Sequence, residues 1–109
     1  MDDIVEMAET LKLIADRTRL TILALLRERE LCVCEIVEIL ETTQPNISQH
    51  LRKLKIAGLV SEARRGQWVY YSLSITKVPY IQAVMGYVPS IKGSINALNL
   101  DCITNDCCE

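Results

Sequence analysis

No apolar run in this 109-residue chain approaches the roughly 20 residues that a membrane span needs. Its acidic start, Met1-Asp2-Asp3, also lacks the basic region and apolar stretch of a secretory signal. A cytoplasmic, soluble protein with no membrane partner is the expectation. Histidine occurs once, at His50, and no set of nucleophile, base and orienting group can be assembled around it, so an enzyme is not expected. Net positive charge is missing too: the formal charge is -2, which taken alone speaks against a nucleic-acid binder. What the chain has is apolar residues, 50% of the total, enough at this length for one modest core and one domain.

The charges are segregated along the chain. Between Gln44 and Gln67 stand Arg52, Lys53, Lys55, Arg64 and Arg65 against Glu62 alone, a local net of +4 that leaves -6 for the rest. Phosphate contacts require a local basic surface and not a high overall pI. A DNA face is therefore expected in this segment.

Cysteine is plentiful, with five residues at 32, 34, 102, 107 and 108. In a reducing compartment an odd set with two adjacent members reads as metal-binding or redox-active before it reads as a disulfide framework. Two units follow: a folded domain over residues 1–100 and a cysteine-rich C-terminal tail over 101–109.

Ile4, Val5, Ala8, Leu11 and Ala15 recur at helical spacing, and Leu20, Ile22, Leu23 and Leu26 form a second set ending near Arg29. A short helix is expected from Glu35 to Leu40, closed by Glu41-Thr42-Thr43. The next runs from Gln44 to Ala57, with Thr43 as N-cap, Pro45 in its first turn and Gly58 at its end. On that helix Ile47, Leu51 and Leu54 form one inward stripe. Its other face offers Gln44, Asn46, Ser48, Gln49, Arg52 and Lys53, the amides, hydroxyl and cations suited to base edges and phosphates in a major groove. Short helix, turn and polar second helix make a helix-turn-helix.

Two strand-like runs follow, Leu59–Arg64 and Gln67–Leu73, joined through Arg65-Gly66. A hairpin directly after a recognition helix is a wing, and Arg64 and Arg65 at its tip would meet a minor groove or phosphates. Trp68, Tyr70 and Tyr71 read as wing and core packing. The fold class is thus mainly α with a β-hairpin (α+β), a winged helix-turn-helix.

By these residues the chain resembles the ArsR/SmtB family of metal-sensing transcriptional repressors, of the arsenic-sensor (ArsR) type. The likeness runs from about Ala15 to Leu73. It is carried by Asp16-Arg17-Thr18-Arg19-Leu20, Glu30-Leu31-Cys32-Val33-Cys34-Glu35, Gln44-Pro45-Asn46-Ile47-Ser48-Gln49-His50-Leu51 and Arg65-Gly66-Gln67-Trp68-Val69-Tyr70-Tyr71. The resemblance implies a homodimer through the first and last helices. It also implies a repressor that holds operator DNA when metal-free and leaves it on binding a toxic metal or metalloid. A twofold dimer implies a palindromic operator. For the last helix, Ile81, Val84, Met85, Val88, Ile91, Ile95 and Leu98 continue a stripe from Val78 toward Asn99, which Pro89 should kink or split.

The cysteine pair poses a geometric problem. On a strand, Cys32 and Cys34 would share a face about 6.6 Å apart; on a helix they diverge by about 200°. Thiolates sharing one ion at about 2.3 Å must approach within about 4 Å, so ligation is expected to distort the first turn of the helix from Glu35 and mis-set the recognition helix. Thiolates without a histidine or carboxylate cluster favour soft ions: arsenite or antimonite (As(III)/Sb(III)), with Cd(II) and Pb(II) as alternatives, and Zn(II) as a structural ion. The resemblance favours arsenite. It also implies a third cysteine one turn after the pair, where this chain has Val37. Cys102, Cys107 or Cys108, from the same or the partner subunit, would then supply the missing sulfur, since a nine-residue flexible segment spans about 16 Å; a separate tail site of all three is the competing arrangement. The expected metal ligands are Cys32, Cys34, Cys102, Cys107 and Cys108, and a thiol redox switch on the same fold is the rival reading. His50 is expected to serve packing or a phosphate.

Overall fold

The computed structural model describes residues 2–76 and 78–89. Five helices and three strands follow in the order α1 (Asp2–Ile14), α2 (Arg17–Glu28), β1 (Leu31–Cys32), α3 (Val33–Leu40), α4 (Gln44–Ile56), β2 (Val60–Arg65), β3 (Trp68–Leu73) and α5 (Pro79–Met85). The mixed α and β content and the hairpin after α4 agree with the sequence reading.

Helix α2 is the axis of the core. Five successive residues, Ile22 to Leu26, are buried, so this helix is covered on nearly every side. Asp16 caps it, its carboxylate accepting from the Arg19 N–H at 3.0 Å. Around α2 pack Ile36 of α3, the stripe Ile47, Leu51 and Leu54 of α4, Leu59 and Val60 entering the hairpin, and Ile81 and Met85 of α5. Helix α1 is different: Ile14 is buried at its end, while Ile4, Val5 and Met7 are exposed.

The sheet has the antiparallel order β1-β3-β2. In the hairpin Val60 faces Leu73 and Arg65 faces Trp68. The turn passes through Gly66 at φ +66°, where glycine carries no Cβ penalty. Strand β1 was not foreseen. It is two residues long, with Leu31 facing Tyr71 and Cys32 facing Tyr70, and it fastens the cysteine segment to the wing.

Two boundaries depart from expectation. Helix α3 starts at Val33 and not Glu35, which places Cys34 in its first turn. The helix expected from Val78 toward Asn99 occupies Pro79–Met85 and stops at Gly86, before Pro89. Ile91, Ile95 and Leu98 lie outside the described residues. Arg27 of α2 holds this end of the chain, donating to the carbonyls of Met85, Val88 and Pro89.

Candidate nucleic-acid interface and cysteine pair

Helix α4 starts as its sequence demands. The Thr43 hydroxyl accepts from the Asn46 N–H at 3.3 Å, and Pro45 fills the first turn, where no amide hydrogen is needed. With Ile47, Leu51 and Leu54 turned inward, Gln44, Asn46, Gln49, Arg52 and Lys53 are exposed and Ser48 is half-buried. The Asn46 amide donates to the Thr42 hydroxyl at 3.0 Å, which orders it at the helix start. Gln44 and Ser48 line a cleft of about 500 Å³ that reaches Glu62, Arg64, Val69 and Tyr71 of the hairpin. The start of α4 and the wing thus share one concave surface. Lys53 lies apart from it, beside Glu6, Glu9 and Ile56 in a second cleft against α1.

The hairpin is braced from both sides. Lys55 Nζ lies 2.5 Å from Glu62 Oε1, and the Tyr71 hydroxyl donates to the same carboxylate. The lysine and the phenol hold Glu62 below its ordinary value. Burial and the neighbouring Glu62 push Tyr71 up to about 12. Arg64 and Arg65 are exposed near the tip. Arg65 pairs with Glu30, and its guanidinium carbon lies 5.1 Å from the centre of the Tyr70 ring.

His50 is half-buried. Its Nδ1 lies 3.1 Å from Arg19 Nη1, and Arg19 Nε donates to the Leu13 carbonyl at 2.6 Å. Through this arginine the recognition helix is tied to the corner between α1 and α2, which agrees with packing, one of the two roles expected of His50.

The cysteine pair solves its geometric problem by belonging to neither a strand nor a helix alone. Cys32 is the last residue of β1 and the extended N-cap of α3 (φ -91°, ψ 167°), while Cys34 sits inside the first turn. The chain turns sharply between them, and the sulfurs stand 3.3 Å apart. Two donors at that spacing fit a single ion at bonds of about 2.3 Å. The break between strand and helix thus brings these two sulfurs together without an ion, and strain on α3 is left to the capture of a third sulfur. Cys32 is fully buried and Cys34 half-exposed.

Glu35 was missed as a site residue. It is buried, with 1% of its surface exposed, and its Oε1 accepts the Cys32 N–H at 3.0 Å while Oε2 meets Arg29 Nη2 at 3.2 Å. The N3 glutamate reaching back to the N-cap amide is half of a capping box, and a glutamate three residues after the N-cap is its sequence signal. With both oxygens committed, Glu35 shapes the loop and is not a spare ligand. Among the described residues no three histidine, cysteine or acidic groups gather into an ion site. Cys102, Cys107 and Cys108 lie outside the described residues.

Residues 16–62 match the family described as bacterial regulatory protein, arsR family. Over 75 residues, 68% of its length, the chain is 45% identical to the arsenic resistance transcriptional regulator ArsR1 of Pseudomonas putida, and it spans 59% of that relative. Reduced HlyU from Vibrio cholerae shares the fold with a TM-score of 0.69 and 34% identity, over 81% of this chain and 95% of that one. The homodimeric winged helix-turn-helix DNA-binding domain of Mb0332 from Mycobacterium bovis matches with a TM-score of 0.66 and 30% identity, over 76% of this chain and 77% of that one. Helix, turn, recognition helix and hairpin in this order define a winged helix-turn-helix protein. This chain belongs to the arsR family of bacterial regulatory proteins.

Proposed function

We propose that the chain is a transcriptional repressor that binds operator DNA in its ion-free state and leaves it when Cys32 and Cys34 take up arsenite or antimonite. The observation that carries this reading is the 3.3 Å separation of the two sulfurs at the N-cap of the helix preceding the recognition helix. Gln44, Asn46, Ser48, Gln49 and Arg52 would enter the major groove, and Arg64 would reach phosphates from the wing. The name of the Pseudomonas relative supports a role in arsenic resistance. A homodimer is supported by the exposed Ile4, Val5 and Met7 on α1 and by the homodimeric Mycobacterium bovis domain; a palindromic operator would follow from its symmetry.

When bound, the ion supplies strong, directional bonds that draw thiolate sulfurs to one point. Cys32 and Cys34 would provide two of these sulfurs, and a tail cysteine, 102, 107 or 108, a third. Closing such a site would pull on the N-cap and first turn of α3, where Glu35 holds the Cys32 amide. Helix α3 packs on α4, so its displacement would re-aim the recognition helix. Operator and ion then bind with reciprocal coupling.

Operator release by reduced protein, titrated in parallel with arsenite, antimonite, cadmium, lead and zinc at fixed salt, tests the reading. Arsenite or antimonite should act at the lowest concentration. Release by cadmium or lead first would transfer the site to those ions, and no release by any of them would refute the proposal. A second reading, a thiol redox switch, is favoured by the same 3.3 Å approach of the two sulfurs and predicts release by peroxide without any ion.

A further inference from the structure

Arg65 occupies the position of a wing-tip phosphate contact, yet its guanidinium is taken by Glu30 and stacked over Tyr70. The sheet register gives this arrangement a direction. Tyr70 faces Cys32 across β1 and β3, and Arg65 faces Trp68 across β2 and β3. Opposed residues, and residues two apart on one strand, share a face of a sheet. Cys32, Tyr70, Trp68 and Arg65 therefore lie on the same face. Glu30 immediately precedes β1, so its pair with Arg65 closes a loop of contacts: from Cys32 back along the chain to Glu30, across to Arg65, down to Tyr70 and across to Cys32 again.

We propose that Arg65 is a positioning residue that ties the wing to the cysteine pair, so that ion capture reaches DNA through the wing as well as through α3 and α4. This rests on Cys32 and Cys34 being the effector site. Among the described residues strand β1 pairs with β3 alone. A pull on Cys32 must either break that two-residue ladder or carry the wing with it. The Glu30–Arg65 pair opposes the first outcome, because it holds the start of β1 against β2, the strand on the far side of β3.

The side chains are partly exposed, 58% for Arg65 and 35% for Glu30. Such a pair is worth at most about 1 kcal/mol, or about fivefold in an equilibrium. That sets the size of the effect, and substitution at either position leaves the core intact.

The test uses the reduced full-length chain with Glu30→Gln, Arg65→Gln, the double variant, and the charge swap Glu30→Arg with Arg65→Glu. Arsenite binding, operator affinity with and without arsenite, and the salt dependence of that affinity are measured for each. Glu30→Gln should bind arsenite as the wild type does. It should bind operator about two- to fivefold more weakly, although it removes a negative charge, and the ratio of affinities with and without arsenite should shrink by a similar factor. The double variant should be no worse than Arg65→Gln alone, and the swap should recover the ratio lost in Glu30→Gln. The proposal is overturned if Glu30→Gln keeps full operator affinity and full response while Arg65→Gln flattens the salt slope by about 0.9, the loss of one phosphate contact. Wild-type protein that fails to bind arsenite, or binds it and stays on the operator, sinks the effector reading instead; the ion-free affinities still decide the role of Arg65.

Discussion

His50 Nδ1 accepts a hydrogen bond from Arg19 Nη1 at 3.1 Å, joining the middle of the recognition helix to the first turn of α2. Arginine can only donate, so this nitrogen carries no proton and the imidazole is neutral. Burial holds His50 below its ordinary value near 6.5, with Arg19 and Lys53 adding to that effect and Asp16 opposing it. A base depressed by folding stabilises the folded state fully above its unfolded value. That contribution declines as pH falls through about 6.5 toward the folded value. Thermal unfolding between about pH 7.5 and 5.5 should show a loss of stability that His50→Gln lacks, since glutamine offers an acceptor that does not titrate. Asp16 is itself held below 3.8, and its contribution fades only in stronger acid.

Thr43→Ala removes the oxygen that caps α4. Loss of such a cap costs about 1 kcal/mol, which should appear as a lower denaturation midpoint with an unchanged denaturant slope.

Glu35→Ala leaves the Cys32 amide and Arg29 without their buried partner. An abandoned buried donor costs about 1–3 kcal/mol. Glu35→Gln retains an acceptor for the amide and should cost less. Chemical denaturation of both variants checks the order, and equal losses would mean that the amide contact contributes little.

Tyr71 should be the last tyrosine to ionise in a spectrophotometric titration, near pH 12. Tyr71→Phe should remove that final component of the curve. It should also release Glu62 from one of the groups that hold its carboxylate down.

Much of the DNA-facing half was legible because its signals are local. Thr43, Pro45 and the spacing of Ile47, Leu51 and Leu54 announce α4 within a few residues, and Arg65-Gly66 marks the hairpin tip. Strand β1 was not legible: two residues have no period, and Leu31–Cys32 is a strand only because β3, nearly forty positions later, pairs with it. The cysteine geometry is hidden for the same reason: the pair belongs to neither a uniform strand nor a uniform helix and occupies the junction that β1 creates. Glu35 carries a local signal, a glutamate three residues after the N-cap, which went unused. Glu30 and Arg65 are different: they are paired across the fold, and nothing beside them along the chain announces that pairing.

The central claim is that Cys32 and Cys34 turn capture of a thiophilic ion into loss of DNA. The most direct measurement is the arsenite concentration that half-releases reduced protein from its operator, compared between wild type and Cys32→Ser. The account predicts release by the wild type and a rise in that concentration of at least about tenfold in the variant, within the usual range of allosteric coupling. Release of Cys32→Ser at the wild-type concentration would contradict it.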